Sequence, residues 1–511
     1  MKSLVKTVAL ITGFSILTRI AGFLFRVYLS RAIGAEALGL YQVAFSVFIV
    51  LLTIVSSGLP FIVSRLTASY RVGENHKKQS GLLMSAIIIG LVVSALLCGC
   101  VLIFRSIFSK LFTDASCMMI LIVLLPALVF SSVYSVVRGA LWGQGNYFAL
   151  CVSEFFEQIV RIFVCVLMLS PVVSVVTNSV SAAWSLTIAC AASMVFVLLL
   201  YFIYGGRLSK PKDFKQLLRR STPITGVRVG GSLAQPLVAL IIPARLMSIG
   251  YSSSQAMSLF GVAVGMTMPL LFVPSALIGA LSTALVPDIS MAVAKEDTKH
   301  IETRIRTSII FALFISAMTV PLFAGAGEEI GQFLYGNSLS GLILASSAWI
   351  MLPMGLNNIT SSLLNSLGYE IRSCINYFIG AIVMFLAMWF LPIICGINAL
   401  FLGTGLCMCV TSALNFFMLK RKTKISLKLF KPLSLFCFIT LPCAALVSFI
   451  DKLCVMVMPP FFAIVISCMV GVVFYLLLCM VFNIVDVKGY FVSISSKFKP
   501  KRTKKLKIVK N

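Results

Sequence analysis

The sequence predicts an all-α, polytopic membrane protein of fourteen transmembrane helices, arranged as two six-helix lobes followed by a C-terminal pair. Three observations predict it. Of 511 residues, 60% are hydrophobic and only 11% charged, where a soluble domain carries about 25%. Apolar windows of about 20 residues, the length that crosses a bilayer core, recur from end to end. Lysines and arginines gather in alternate connections between those windows.

The windows centre near residues 17, 54, 93, 128, 160 and 192, then 236, 271, 313, 353, 382 and 408, and finally 440 and 469. Spans 1–6 form an N-lobe over residues 1–204, and a basic linker covers 205–222. Spans 7–12 form a C-lobe over 223–419, spans 13 and 14 occupy 420–486, and a basic tail runs over 487–511. Lys2 and Lys6 precede the first apolar run, but Arg19 interrupts it and no small-x-small site closes it. That run is expected to stay as a helix. The stretch GAGEEIGQFLYGNSL after span 9 is expected to be a polar loop with a short interfacial helix.

Charge placement tests the count. With both termini in the cytoplasm, the inside connections hold thirty-two of the 42 lysines and arginines, Arg138 among them. The outside connections hold Arg31, Arg105, Lys110 and Lys452. One missed or extra span would destroy this bias. The formal net charge of +27 is therefore a topology signal and excludes a nucleic-acid reading. The tail KFKPKRTKKLKIVK suits the anionic lipids of the adjacent leaflet. Fifteen cysteines lie mostly in apolar runs without a C-x-x-C pair, as buried hydrophobes do. Two histidines, His76 and His300, stand in polar stretches, so neither metal binding nor acid–base work is expected.

A faint repeat divides the chain. SVVRGALWGQGNYFAL and TSSLLNSLGYEIRSCINY place Gly145 and Gly368 in matching positions, 223 residues apart. GLPFIVSRLTAS and LVPDISMAVAKE match Ser64 to Ser290 at a separation of 226. Two pairs at nearly one offset predict that spans 1–6 and 7–12 are parallel copies about an axis along the membrane normal.

Ionised groups at bilayer depth are expensive unless they snorkel, pair or line water. Arg65 and Arg228 lie near cytoplasmic helix ends, where snorkelling is easy. Glu157 and Arg161 stand i,i+4 in the favourable order, with Glu154 one turn earlier on the same face. Two roles fit them, a self-neutralised structural pair or a site for a coupling proton or cation. Arg19 and Arg26, seven positions apart on one face of span 1, are about 10 Å apart in depth, and span 1 offers no acid at helical spacing. With Arg245 in span 7, six arginines stand against Glu154 and Glu157. Such an excess suits a phosphate or diphosphate, which the planar guanidinium grips with two bonds.

No nucleotide-binding loop, covalent catalytic set or metal set is present, so no enzyme and no cofactor are expected. Energy would come from a proton or sodium gradient, the membrane potential or the substrate. Pro236 and Pro243 in span 7, and Gly13 and Gly22 in span 1, fit bends at a protein-lined cavity. Gly226–Gly230 and Gly261–Gly265 are packing signals of low specificity.

The segment TRIAGFLFRVYLSRAIGAEALGLYQVAFS, with GLPFIVSRLTASY, RGALWGQGNY and ALVPDIS, resembles the multidrug/oligosaccharidyl-lipid/polysaccharide (MOP) exporter superfamily. Within it the chain is similar to the branch that holds stage V sporulation protein B and the MurJ-type lipid II flippases. The resemblance implies a MATE/MurJ-like fold in a bacterial cytoplasmic membrane. It implies a flippase that moves a polyprenyl-diphosphate-linked saccharide, such as lipid II for spore cortex, to the outer leaflet by alternating access. Cell-wall synthesis proteins would be further partners. It implies that Arg19 and Arg26 contact the diphosphate, with Arg65, Arg228 and Arg245 as further substrate contacts. Spans 13 and 14 would contribute to a groove for the lipid tail. The acid that MurJ-type proteins carry early in span 2 is missing from YQVAFSVFIV, which leaves ion coupling and the identity of the glycolipid open. An exporter of another lipid-linked polysaccharide unit, or a MATE-like antiporter of drugs or cations, is the alternative; the antiporter would favour acids over arginines.

Overall fold

The computed structural model describes residues 2–72, 76–170, 178–294, 297–423 and 430–482, and the basic tail 487–511 lies outside the described residues. Among these, regular structure is helical throughout. The first half contains α1 (Lys2–Ser56), α2 (Gly58–Val72), α3 (His76–Ile103), α4 (Arg105–Leu111), α5 (Ser116–Gly143), α6 (Tyr147–Met168) and α7 (Asn178–Ile203). Next come α8 (Phe214–Ser232), α9 (Ala234–Ser248), α10 (Ser253–Phe260), a π-helical turn (Gly261–Thr267), α11 (Met268–Ala294) and α12 (Thr298–Tyr335). The rest is α13 (Ser338–Ser347), α14 (Met351–Ser366), α15 (Glu370–Phe390), α16 (Pro392–Cys395), α17 (Asn398–Thr423), α18 (Phe430–Val455) and α19 (Pro460–Val481).

All fourteen expected centres fall in helices. Twelve stretches among the described residues are long and apolar enough to cross a membrane. The first of the twelve, Leu10–Arg71, has 62 residues; straight, it would reach about 93 Å, three times the bilayer core. It is broken at Gly34, where φ is 78°, and by a bend at Ser57. The connection that holds Arg31, expected between spans 1 and 2, is thus helix with a one-residue kink, which glycine makes at no steric cost. The 22-residue α6 is not among the twelve, because it carries Glu154, Glu157 and Arg161.

The loop expected over GAGEEIGQFLYGNSL is largely helix, since α12 runs on to Tyr335 and turns only at Gly336. Two of its glycines are packing residues: a Cβ on Gly325 would meet the Val447 side chain, and one on Gly331 would fall on the Gly341 backbone. Span 7 is broken as expected, between α8 and α9 at Leu233. Pro236 follows within a turn and has no N–H to donate to the Ser232 carbonyl. The expected linker 205–222 is part coil and part helix, because α8 begins at Phe214.

The chain forms two compact units. One contains Met1–Val273, Gly331–Ser347 and Cys374–Thr411, and the other Pro274–Ile330, Ala348–Ser373 and Ser412–Asn511. In the first unit α1 packs on α5, α6, α7 and α10, while α2 packs on α3, α5 and α8. Its core includes Leu59, Val63, Leu82, Val137, Tyr201 and Leu217. In the second, Ile305, Leu313, Ile359, Leu363, Phe436 and Tyr475 share a core, and the Tyr475 hydroxyl donates to the Phe314 carbonyl at 3.0 Å.

The matched segments adopt one geometry. Gly145 and Gly368 both have positive φ, 77° and 81°. At each, the glycine N–H reaches back three residues, to Trp142 or Asn365, and the next N–H five residues, to Leu141 or Leu364. That double bond pattern is the Schellman helix stop. Each stop ends a helix packed on the other matched segment: the Ser64 carbonyl lies where a Gly143 Cβ would be, and the Ser290 hydroxyl donates to the Ser366 carbonyl at 3.1 Å.

Candidate functional site: arginines and ion pairs of the first unit

The site is built on α1 and α6. Phe14 sets its ring edge-on to Phe148 and Phe155, at centroid distances of 6.2 and 6.1 Å. Two turns on, Gly22 leaves room for the Gln158 amide, 3.8 Å from where its Cβ would be. Phe14 and Gly22 therefore mark the line along which α1 meets α6. At about 100° per residue, Arg19 and Arg26 lie some 40–60° round the helix from Gly22 and about 120–140° from Phe14, to one side of the α6 contact. The far side of α1 is apolar and exposed, with Ile16, Leu17, Ile20 and Leu24.

Arg19 and Arg26 are exposed and take part in no ion pair or hydrogen bond among the described residues. Arg26 lies close enough to the buried Tyr41 and Tyr335 to act electrostatically on both hydroxyls. Where an acid was looked for in span 2, Tyr41, Phe45 and Phe48 form a stack with centroids 5.5 and 6.0 Å apart.

On α6 the polar stripe Glu154, Glu157, Gln158 and Arg161 follows helical spacing. Glu157 meets Arg161 at 3.8 Å, as the sequence suggested. Glu154 has a partner the sequence reading missed, Arg138, at 2.8 Å. Arg138 was expected in a cytoplasmic loop; it lies inside α5 instead, with its guanidinium 5.2 Å from the Tyr134 ring centroid. The Schellman stop at Gly145, seven residues further on, was the available signal for that placement. Across α1, α5 and α6 there are thus five arginines and three acids, and two of the acids, Glu154 and Glu157, are already engaged.

The remaining candidates separate. Arg65 on α2 lines a cavity with Arg219 and Arg220 of α8. Arg228 is exposed on α8, among glycines with open space around them at Gly226 and Gly231. Arg245 is anchored: its Nε donates to the Trp389 carbonyl at 2.9 Å, and the guanidinium stacks 4.8 Å from the Trp389 ring. Arg245 is thus held to α15 through Trp389, on a helix, α9, that also packs on α1. Helical acids also number more than the two first counted, since Glu328 and Glu329 lie in α12 and the buried Asp451 in α18, where the Ser467 hydroxyl donates to it at 2.9 Å. Among the described residues no group of three His, Cys, Asp or Glu is placed to hold a metal.

At one end of the first unit, Arg31 donates to the carbonyls of Phe333 and Leu334, and Asp114 accepts from the Ser253 hydroxyl at 2.9 Å. Burial pushes the Asp114 carboxyl up, but hydrogen bonds from Ser116 and Ser253 outweigh it and hold the group below its ordinary value.

The Arg138–Glu154 pair gives a direct test. Arg138→Met should lower the thermal midpoint of the purified protein by an amount equivalent to about 1 kcal/mol, modest because Glu154 stays half exposed. The double swap R138E/E154R should recover part of that loss. Equal losses in single and swapped variants would mean that the pair contributes nothing.

This many-helix membrane fold is shared with solved structures of a MATE family transporter of the MOP superfamily and of the flippase MurJ. Residues 4–293 match the family described as "Polysaccharide biosynthesis protein", more than half of the chain, and the chain belongs to that family. It is similar to stage V sporulation protein B of Bacillus subtilis (strain 168), 26% identical over 396 residues, covering 75% of this chain and 76% of the relative. Its fold matches a structure of the lipid II flippase MurJ in an inward closed conformation, with TM-score 0.69 and 16% identity over 93% of this chain and 98% of that one. It also matches the inward-facing conformation of a multidrug resistance MATE family transporter, with TM-score 0.65 and 16% identity over 80% of this chain and 94% of that one.

Proposed function

We propose that the protein is a flippase for a polyprenyl-diphosphate-linked saccharide, lipid II or a related peptidoglycan precursor of the spore cortex. In this reading it works by alternating access in the bacterial cytoplasmic membrane. One observation carries the reading: two exposed arginines on α1 take part in no ion pair among the described residues, beside a helix whose two acids, Glu154 and Glu157, are already matched. A diphosphate supplies the missing anion, and each guanidinium can grip it with two bonds. The same observation disfavours export of cationic drugs, for which Glu154 and Glu157 would have to be free. Arg228 is assigned to the same path, while Arg245 serves as an anchor for α9.

The reading includes fourteen crossings, with Leu10–Arg71 counted twice and α6 once, and with both termini in the cytoplasm. The halves over 1–204 and 223–419 are the rocking lobes, and α18 and α19 are an appended pair. No nucleotide is used, so the gradient or the membrane potential supplies the energy. The paired state of Glu154 and Glu157 makes them structural in the resting protein.

The decisive measurement is the accessibility of lipid II at the outer leaflet in cells depleted of their other flippases. Expression of this protein should restore it. No restoration, with the protein present in the membrane, would remove lipid II as the cargo.

A further inference from the structure

Helices α2 and α8 run against each other with Gly58 at the tightest point, where a Cβ would fall on the Ser221 carbonyl and the Thr225 hydroxyl. Beyond that contact the seam opens into a cavity of about 410 Å³. Three arginines enter it, Arg65 from α2 and Arg219 and Arg220 from α8, and its walls are aliphatic, with Ile62, Leu66 and Pro223. Pro223 has no N–H to return to the Arg219 carbonyl, which loosens α8 at the wall of the cavity.

Among the described residues, no carboxylate lines this cavity. The acid just before α8, Asp213, accepts a hydrogen bond from the Tyr70 hydroxyl at 3.3 Å, and Arg220 lies near enough to act on that tyrosine. One carboxylate engaged elsewhere does not balance three guanidiniums. The three guanidiniums are exposed at this apolar-walled space, so their mutual repulsion is partly screened, and an anion between them lowers it further. Planar guanidiniums match phosphate oxygens with paired hydrogen bonds, and aliphatic walls beside them match a hydrocarbon chain. A carboxylate or halide would use the charge but not the walls.

We propose that the α2–α8 cavity is a phosphate-ester site, occupied by the headgroup of an anionic bilayer lipid and separate from the arginines of α1. None of its lining residues comes from α1. The bound lipid bridges helices from the two halves of the sequence repeat, a resident ligand and not the cargo, so the site stands whether or not lipid II is flipped.

The full-length protein in neutral detergent, titrated with phosphatidylglycerol and followed by native mass spectrometry and thermal melting, tests this. One tightly held phosphatidylglycerol is expected, with its affinity reduced tenfold or more in R219Q/R220Q and largely kept in R219K/R220K. The pair K210Q/K212Q removes equal charge nearby and should leave binding unchanged. Inorganic phosphate and glycerol 3-phosphate form separate arms: if either competes at the lipid's own affinity, the ligand is a soluble phosphate ester on the same arginines. Equal loss in R219Q/R220Q and K210Q/K212Q, or equal binding of phosphatidylcholine, overturns the proposal. Should R219Q/R220Q not fold, Arg65→Gln on the opposite helix carries the same expectation.

Discussion

Replacing Arg19 and Arg26 together by alanine is expected to reduce lipid-linked saccharide flipping at least a hundredfold while leaving membrane insertion and the melting profile near those of the parent. A hydrogen bond to a charged group contributes about 1.5–3 kcal/mol, so each lost guanidinium should weaken the diphosphate complex about tenfold to a hundredfold. The fold should tolerate the change because both side chains are exposed and take part in no ion pair among the described residues. R19K and R26K keep the charge but lose the planar fork, and should recover only part of the rate. The assay is leaflet accessibility in proteoliposomes with a fixed amount of folded protein. Flipping at the parent rate in a folded double variant would remove the headgroup role from α1.

The helices were legible because a 20-residue apolar window has few ways to fold in a bilayer, and the positive-inside bias constrained their number. What was not legible came from residues whose meaning depends on a neighbour. Arg138 read as a loop charge because it lies near a helix end; only the position of Glu154 across the α5–α6 turn makes it half of an ion pair. Arg245 read as a cavity residue because it is an arginine in an apolar run, and its Trp389 partner is 144 positions away in sequence. The polar run after span 9 read as a loop because it holds glycines and two glutamates, yet Gly325 and Gly331 serve close packing inside α12. The G-x-x-x-G spacing could not separate Gly261–Gly265, which packs, from Gly226–Gly230, which meets almost nothing, and it was overlooked at Gly139 and Gly143, where α5 seats on Pro60 and Ser64. The repeat is the counter-example: a faint match became one hydrogen-bond pattern at Gly145 and Gly368, since a Schellman stop has strict local requirements.

That contrast among glycines yields the second large effect. A Cβ on Gly39 would fall on the Met257 carbonyl, and one on Gly261 on the Ala35 carbonyl. Both obstacles are backbone, so no rotamer change relieves them, and α1 must part from α10 and the π-helical turn that starts at Gly261. Overpacking costs about 1–3 kcal/mol even where side chains can adjust, so Gly261→Val and Gly39→Val should each exceed that and lower the midpoint in detergent by many degrees. Gly265→Ala should be milder, because what it meets is the Leu38 side chain. Gly226→Ala meets nothing within 4 Å and lies in a helix; there the lost backbone freedom of glycine should raise stability by about 0.5–1 kcal/mol. A thermal series over these variants checks the order Gly261→Val, Gly265→Ala, parent, Gly226→Ala. If Gly261→Val melts with the parent, α1 and the π-helical turn do not meet as described. If Gly261→Val keeps its fold but loses transport, the tight seam is a working contact as well as a structural one, because a helix held off by an isopropyl group cannot return to the same closed position.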